Sequence, residues 1–100
     1  GYVGSAVNFK IYIDDSLVCK LKNKRYSVHT LPVGKHTVSA QNTGLSTHKK
    51  SEPFEIETKE GQVTYIDVAW ANRVYCQEIT ANSATAVMRK VKQTTNCAND

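Results

Sequence analysis

The chain has 100 residues, with 13 Lys and Arg against 9 Asp and Glu, a net charge of +4; 40% of residues are apolar and 22% charged. That length suits one domain, and the composition argues against a disordered chain or a coiled coil. No apolar run approaches the roughly 18 residues of a membrane helix.

The first segment alternates with period two. Val7, Phe9, Ile11 and Ile13 share one face, with Asn8, Lys10 and Tyr12 between them, the pattern of a half-buried strand. Asp14-Asp15-Ser16 is a turn cluster. Leu17, Cys19 and Leu21 then alternate with Lys20 and Lys22, giving a second strand with those three residues inward. Asn23-Lys24 occupies a hairpin-turn position. Arg25 to Leu31 reads as a third strand, with Tyr26 and Val28 inward.

Leu31-Pro32-Val33-Gly34 reads as a β-turn, since proline pre-sets φ and glycine closes the turn. Lys35 to Gln41 is a strand with Val38 and Ala40 inward; Asn42 to Ser51 is a loop carrying Gly44. Pro53 marks an edge strand in which Phe54, Ile56 and Thr58 share a face. Glu60-Gly61 turns the chain. Gln62 to Trp70 is apolar on both faces, with Ile66, Val68 and Trp70 on one and Val63 and Tyr65 on the other, so it belongs centrally in a sheet. Arg73 to Ile79 forms the last strand of this series.

The period then changes to 3.6. Ala84, Val87, Met88 and Val91 form a helical stripe over 81–92, with Thr80, Asn82 or Ser83 as caps and Arg89, Lys90 and Lys92 in the last turns. The tail 94–100 is polar. Six to seven short strands with turns between them predict an all-β, immunoglobulin-like antiparallel β-sandwich with one C-terminal amphipathic helix, in a single domain over 1–100.

Three cysteines leave at least one unpaired. Cys19, between Leu17 and Leu21, reads as a buried thiol acting as a small hydrophobe. Cys76 and Cys97 are the better-placed pair for a disulfide, provided the compartment is oxidising. No Cys-x-x-Cys spacing supports a zinc or redox site.

His29, His36 and His48 match no helical or strand ligand spacing, although His29 and His36 face each other if the Pro32 turn is a hairpin. Asp14 and Asp15 are read as turn formers rather than an acid–base pair. No nucleophile elbow or phosphate-cradling glycine loop is present. The cations, densest at Lys20, Lys22, Lys24 and Arg25, read as a solvated face rather than a nucleic-acid footprint. The sequence therefore predicts no catalytic residues, no metal and no cofactor. Tyr12, Tyr65 and Tyr75 are candidate binding residues, provided they share one exposed face as a platform for a sugar or a partner protein.

Gly4-Ser5-Ala6-Val7, Tyr12-Ile13-Asp14 and the run Leu31 to Ala40 (Leu-Pro-Val-Gly-Lys-His-Thr-Val-Ser-Ala) resemble a family of small bacterial envelope lipoproteins of unknown function. The chain is also similar to PEGA-type β-sandwich domains in this layout. Ser51 to Phe54 and Glu60 to Tyr65 continue the resemblance, which covers roughly residues 2 to 70. It departs where Asp15 and Lys24 stand at positions usually held by glycine, so these turns must either change geometry or hold both residues at unfavourable φ.

The resemblance implies a periplasmic or outer-membrane-tethered module, reached after removal of a signal segment. Any membrane attachment would come through a lipid anchor outside this chain. The expected role is non-catalytic binding of an envelope protein or cell-wall glycan. The alternative is a structural accessory domain of a larger envelope assembly, docking through its C-terminal helix.

Overall fold

The structure is a computed structural model that describes residues 2–5, 9–22, 24–42, 50–70 and 72–97. Val7, Asn23, Gly44 and His48, singled out above, lie outside the described residues. The elements in chain order are β1 (Tyr2–Ser5), β2 (Phe9–Ile13), β3 (Ser16–Leu21), β4 (Arg25–Val28), β5 (Gly34–Asn42), β6 (Phe54–Thr58), β7 (Tyr65–Trp70), β8 (Val74–Ile79), α1 (Ala81–Met88) and β9 (Lys92–Gln93).

The fold is all-β, as expected. The strands form a four-stranded sheet in the order β3-β2-β5-β6 and a five-stranded sheet in the order β8-β7-β1-β4-β9. The short strands β1 and β9 are additional to the six or seven expected. Each contributes a parallel pairing, β1 with β7 and β9 with β4; the other pairings are antiparallel.

Alternation explains the four-stranded sheet. Phe9, Ile11 and Ile13 of β2 and Val38 and Ala40 of β5 are buried, and β6 lies at the edge as Pro53 indicated. Asp14 and Asp15 link β2 to β3 with φ of 51° and 65°. Two consecutive positive φ values are the pattern of a type I′ hairpin turn, whose twist matches the strands it joins. The departure from glycine at residue 15 is thus absorbed by a strained φ, not by a different turn.

Three inward assignments are corrected. Between β2 and β3, Ile11 lies opposite Cys19 but Tyr12 lies opposite Leu17, so Val18 is an extra residue in a β-bulge. Val18 packs against the core and Leu17 rotates outward, 47% exposed. In β4 the faces are reversed, with Ser27 fully buried and Val28 55% exposed. The chain leaves β3's sheet before β4, and Ser27 takes the register of Val3, which is also that of the buried Ile66. A one-residue change of register sends every side chain to the other face. Trp70, placed with Ile66 and Val68, ends β7 and is 49% exposed.

Lys24 sits at φ 60° just before β4. A side chain there meets the left-handed penalty of roughly 1–2 kcal/mol that glycine avoids. Lys24→Gly is therefore expected to stabilise the fold by about 1 kcal/mol in denaturant titration, while the same change at the exposed Lys20, in a regular strand, should destabilise it.

The two sheets share one core. Phe9, Ile11, Cys19, Leu21, Val38, Ala40 and Ile56 from one meet Ile66, Val68, Val74 and Cys76 from the other. A disulfide joins Cys19 on β3 to Cys97 beyond β9, and Cys76 is a buried free thiol. This corrects the expected Cys76–Cys97 pairing. Cys76 lies on β8 at one edge of its sheet, whereas Cys97 follows β9 at the opposite edge. The roles given to Cys19 and Cys76 are exchanged.

The helix is shorter than 81–92. It is capped by Thr80, whose Oγ accepts from the Ser83 N–H at 3.2 Å, and it ends at Met88, so Arg89 and Lys90 follow it. The strands β8 and β9 run parallel at opposite edges of the sheet. Ala84 of the helix is fully buried, outside the inter-sheet cluster. Among the described residues, no helix is long and apolar enough to cross a membrane.

Candidate functional site

The tyrosines do not form one surface. Tyr12 faces outward from the four-stranded sheet, where its hydroxyl donates to Gln41 Oε1 at 2.9 Å and Lys50 Nζ sits 3.9 Å from its ring centroid. Tyr65 and Tyr75 lie on the outer face of the other sheet. Tyr65 is opposite Ile79 and Tyr75 opposite Ala69, four positions apart along the strands, a separation of about 13 Å. A platform of all three is therefore ruled out.

The histidines also separate, because β4 and β5 lie in different sheets and do not form a hairpin. His29 Nε2 lies 2.8 Å from Ser27 Oγ, and burial pushes the pKa of its ring down. His36 is held at both ring nitrogens. Nδ1 lies 2.6 Å from Asp14 Oδ2 and Nε2 lies 2.8 Å from the Pro32 carbonyl oxygen. Two acceptors require two N–H donors, hence the imidazolium, and the bond to Asp14 raises the His36 pKa.

Asp14 Oδ1 accepts from the Thr37 N–H at 3.0 Å, and the Asp14 N–H donates to the Thr37 carbonyl at 2.9 Å. The hydrogen bond from His36 is the largest reason that the Asp14 pKa is lowered. Asp14 thus latches the β2–β3 turn to β5.

This latch sets a pH dependence. The His36 contribution is fully present below its ordinary pKa of 6.5 and is lost as pH rises through the higher folded value. The Asp14 contribution is present above 3.8 and is lost as pH falls through the lower folded value. The unfolding midpoint should therefore fall as pH is raised from about 6 to about 8. Asp14→Asn, which tolerates the same positive φ, should flatten that slope; an unchanged slope would place the dependence on another group.

A cavity of about 510 Å³ opens at the end of the sandwich where β4 leaves one sheet for β5 and β6 returns to β7. Both connections cross between sheets at this end, and neither fills it. Ile13, Val38 and Ile56 line it from one sheet, and Val28, Tyr65 and Ile66 from the other. Leu31, Val33, the turn 59–64 and Met88 of α1 also line it.

The walls are pinned. Thr58 Oγ1 donates to the Pro32 carbonyl at 2.7 Å and the Gly34 carbonyl at 3.2 Å. Gln62 N–H donates to the Lys59 carbonyl at 3.1 Å across the turn in which Gly61 takes φ 75°. Around the mouth, Val28, Val33 and Val63 are 55%, 66% and 59% exposed. Aliphatic side chains share the lining with His29, Thr30, Lys59, Glu60, Gln62 and Thr64, and a concave apolar patch rimmed by exposed valines makes this end the candidate binding surface.

At the opposite end a smaller cavity of about 210 Å³ is lined by Lys50, Ser51, Glu52, Trp70, Asn72, Arg73 and Val74. Its lining is mostly polar. Among the described residues, no three His, Cys, Asp or Glu side chains are grouped to hold a metal ion. The Cys76 thiol lies 3.9 Å from Ser51 Oγ, and burial pushes its pKa up to about 11, so it stays protonated at neutral pH.

Of the candidate residues read from the sequence, Tyr65 and His29 line the larger cavity, but neither was read as part of an apolar site there. Two signals pointed to it: Val33 in a segment read as a turn, and Val63 beside a Glu-Gly turn, where polar residues are usual. No family model, curated protein or solved structure matches the chain.

Proposed function

We propose that the chain is a non-catalytic binding module of the cell envelope that takes an apolar group into the cavity at the β4–β5 and β6–β7 end. The observation that carries this reading is the cavity itself, lined by aliphatic side chains of both sheets and large enough for a small ligand. Among the described residues Tyr65 is the one Phe, Tyr or Trp in its lining, which favours an aliphatic group over a stacked sugar ring. The Cys19–Cys97 disulfide supports an oxidising location such as the periplasm. Docking through the helix is less favoured, because Ala84 is buried and Met88 already lines the cavity.

The test is a fluorescence titration with the apolar dye N-phenyl-1-naphthylamine. Saturable enhancement is expected for the native chain. Val63→Lys alters an exposed residue, leaves the fold intact, and should weaken binding about tenfold by replacing aliphatic contact with a charge. Absence of saturable binding, or equal binding by the two proteins, would refute the reading.

A further inference from the structure

The cavity is continuous with one sheet edge. Ile56 and Thr58 of β6 point toward the core side and line the cavity, while Glu55 and Glu57 of the same strand are exposed. β6 ends its sheet, and among the described residues no strand pairs with its outer side. The other edges are different. β3 is interrupted by the Val18 bulge and carries Lys20, and β9 has only two residues. β8 is as long as any edge, yet none of its residues lines the cavity.

We propose that β6 receives an extended strand from a partner protein, one that alternates apolar and basic residues. Backbone pairing would continue the four-stranded sheet. The added strand's inward side chains would then lie beside Phe54, Ile56 and Thr58, with one entering the cavity. Its outward side chains would lie opposite Glu55 and Glu57, where unlike charges attract and like charges repel; Glu57 has Lys35 opposite it on β5 and Glu55 has Thr37, so Glu55 carries most of the preference for a basic residue. A second copy of β6 paired about Ile56 does not meet this requirement. Antiparallel pairing about Ile56 sets Glu55 against Glu57 of the other copy, two like-charge pairs in one short ladder. The inference rests on the cavity reading above and specifies its partner.

The probe is a blocked seven-residue peptide alternating Val and Lys, compared with one alternating Val and Glu, titrated into the isotopically labelled chain. The Val-Lys peptide is expected to shift the amides of 54–58 and to displace N-phenyl-1-naphthylamine. The Val-Glu peptide should bind at least about tenfold more weakly, and the double variant Glu55→Lys, Glu57→Lys should reverse that order. Both glutamates are exposed, so the variant keeps the core unchanged. Equal affinities, shifts on 74–79 instead, or no peptide binding while the dye still binds would overturn the strand inference and leave the cavity reading standing. Loss of both dye and peptide binding would overturn both.

Discussion

Cys97→Ser lowers the stability of the folded chain by about 4 to 5 kcal/mol. Cys19 and Cys97 are 78 residues apart, and cross-linking a loop of that size removes about 4.5 kcal/mol of unfolded-state chain entropy. The bond also fixes the segment after β9 to β3 of the facing sheet. Backbone bonds from Lys92 N–H to the Lys24 carbonyl and from Thr94 N–H to the Tyr26 carbonyl also hold β9 and the residue after it to β4. Small domains have a total stability of only about 5–15 kcal/mol, so the variant should sit close to its unfolding threshold at body temperature. Denaturant titration of native and variant chains under non-reducing conditions gives the difference. A loss below about 1 kcal/mol would mean that the tail contributes little constraint.

Phe9→Ala costs about 3 to 5 kcal/mol, the range for removing a buried aromatic ring from a packed interior. Phe9 is 1% exposed and lies in the cluster formed by both sheets. Leu17→Ala is the informative partner. Simple alternation makes Leu17 a core residue, but the bulge turns it outward, and an exposed substitution of this kind changes stability by less than about 0.5 kcal/mol. Comparable losses at the two positions would contradict the bulge.

The contrast between Phe9 and Leu17 shows what was legible in the sequence. Alternation in β2 and β5, the Pro53 edge, the Gly61 turn and the Thr80 cap are encoded within a few residues, and the structure shows each of them. Features that depend on which sheet a strand joins were not legible. Ser27 is buried because β4 pairs with β1, a strand far away in sequence, and that pairing reverses the face assigned to Tyr26 and Val28.

The same cause governs the cysteines. Reading Cys19 as a buried thiol left Cys76 with Cys97, but the sheet order places those two at opposite edges and brings Cys19 across from the other sheet. It also divides Tyr12 from Tyr65 and Tyr75. The cavity is less visible still, because it is made by two inter-sheet crossings meeting at one end. Its local traces are the valines at 33 and 63.

The measurement that bears most directly on this account is an amide chemical-shift map of the labelled chain titrated with N-phenyl-1-naphthylamine. Saturable shifts are expected at Ile13, Val38, 28–34, 56–66 and Met88, with Trp70 and Arg73 unmoved. Shifts centred on Trp70 and Arg73, or none at saturating dye, would contradict it.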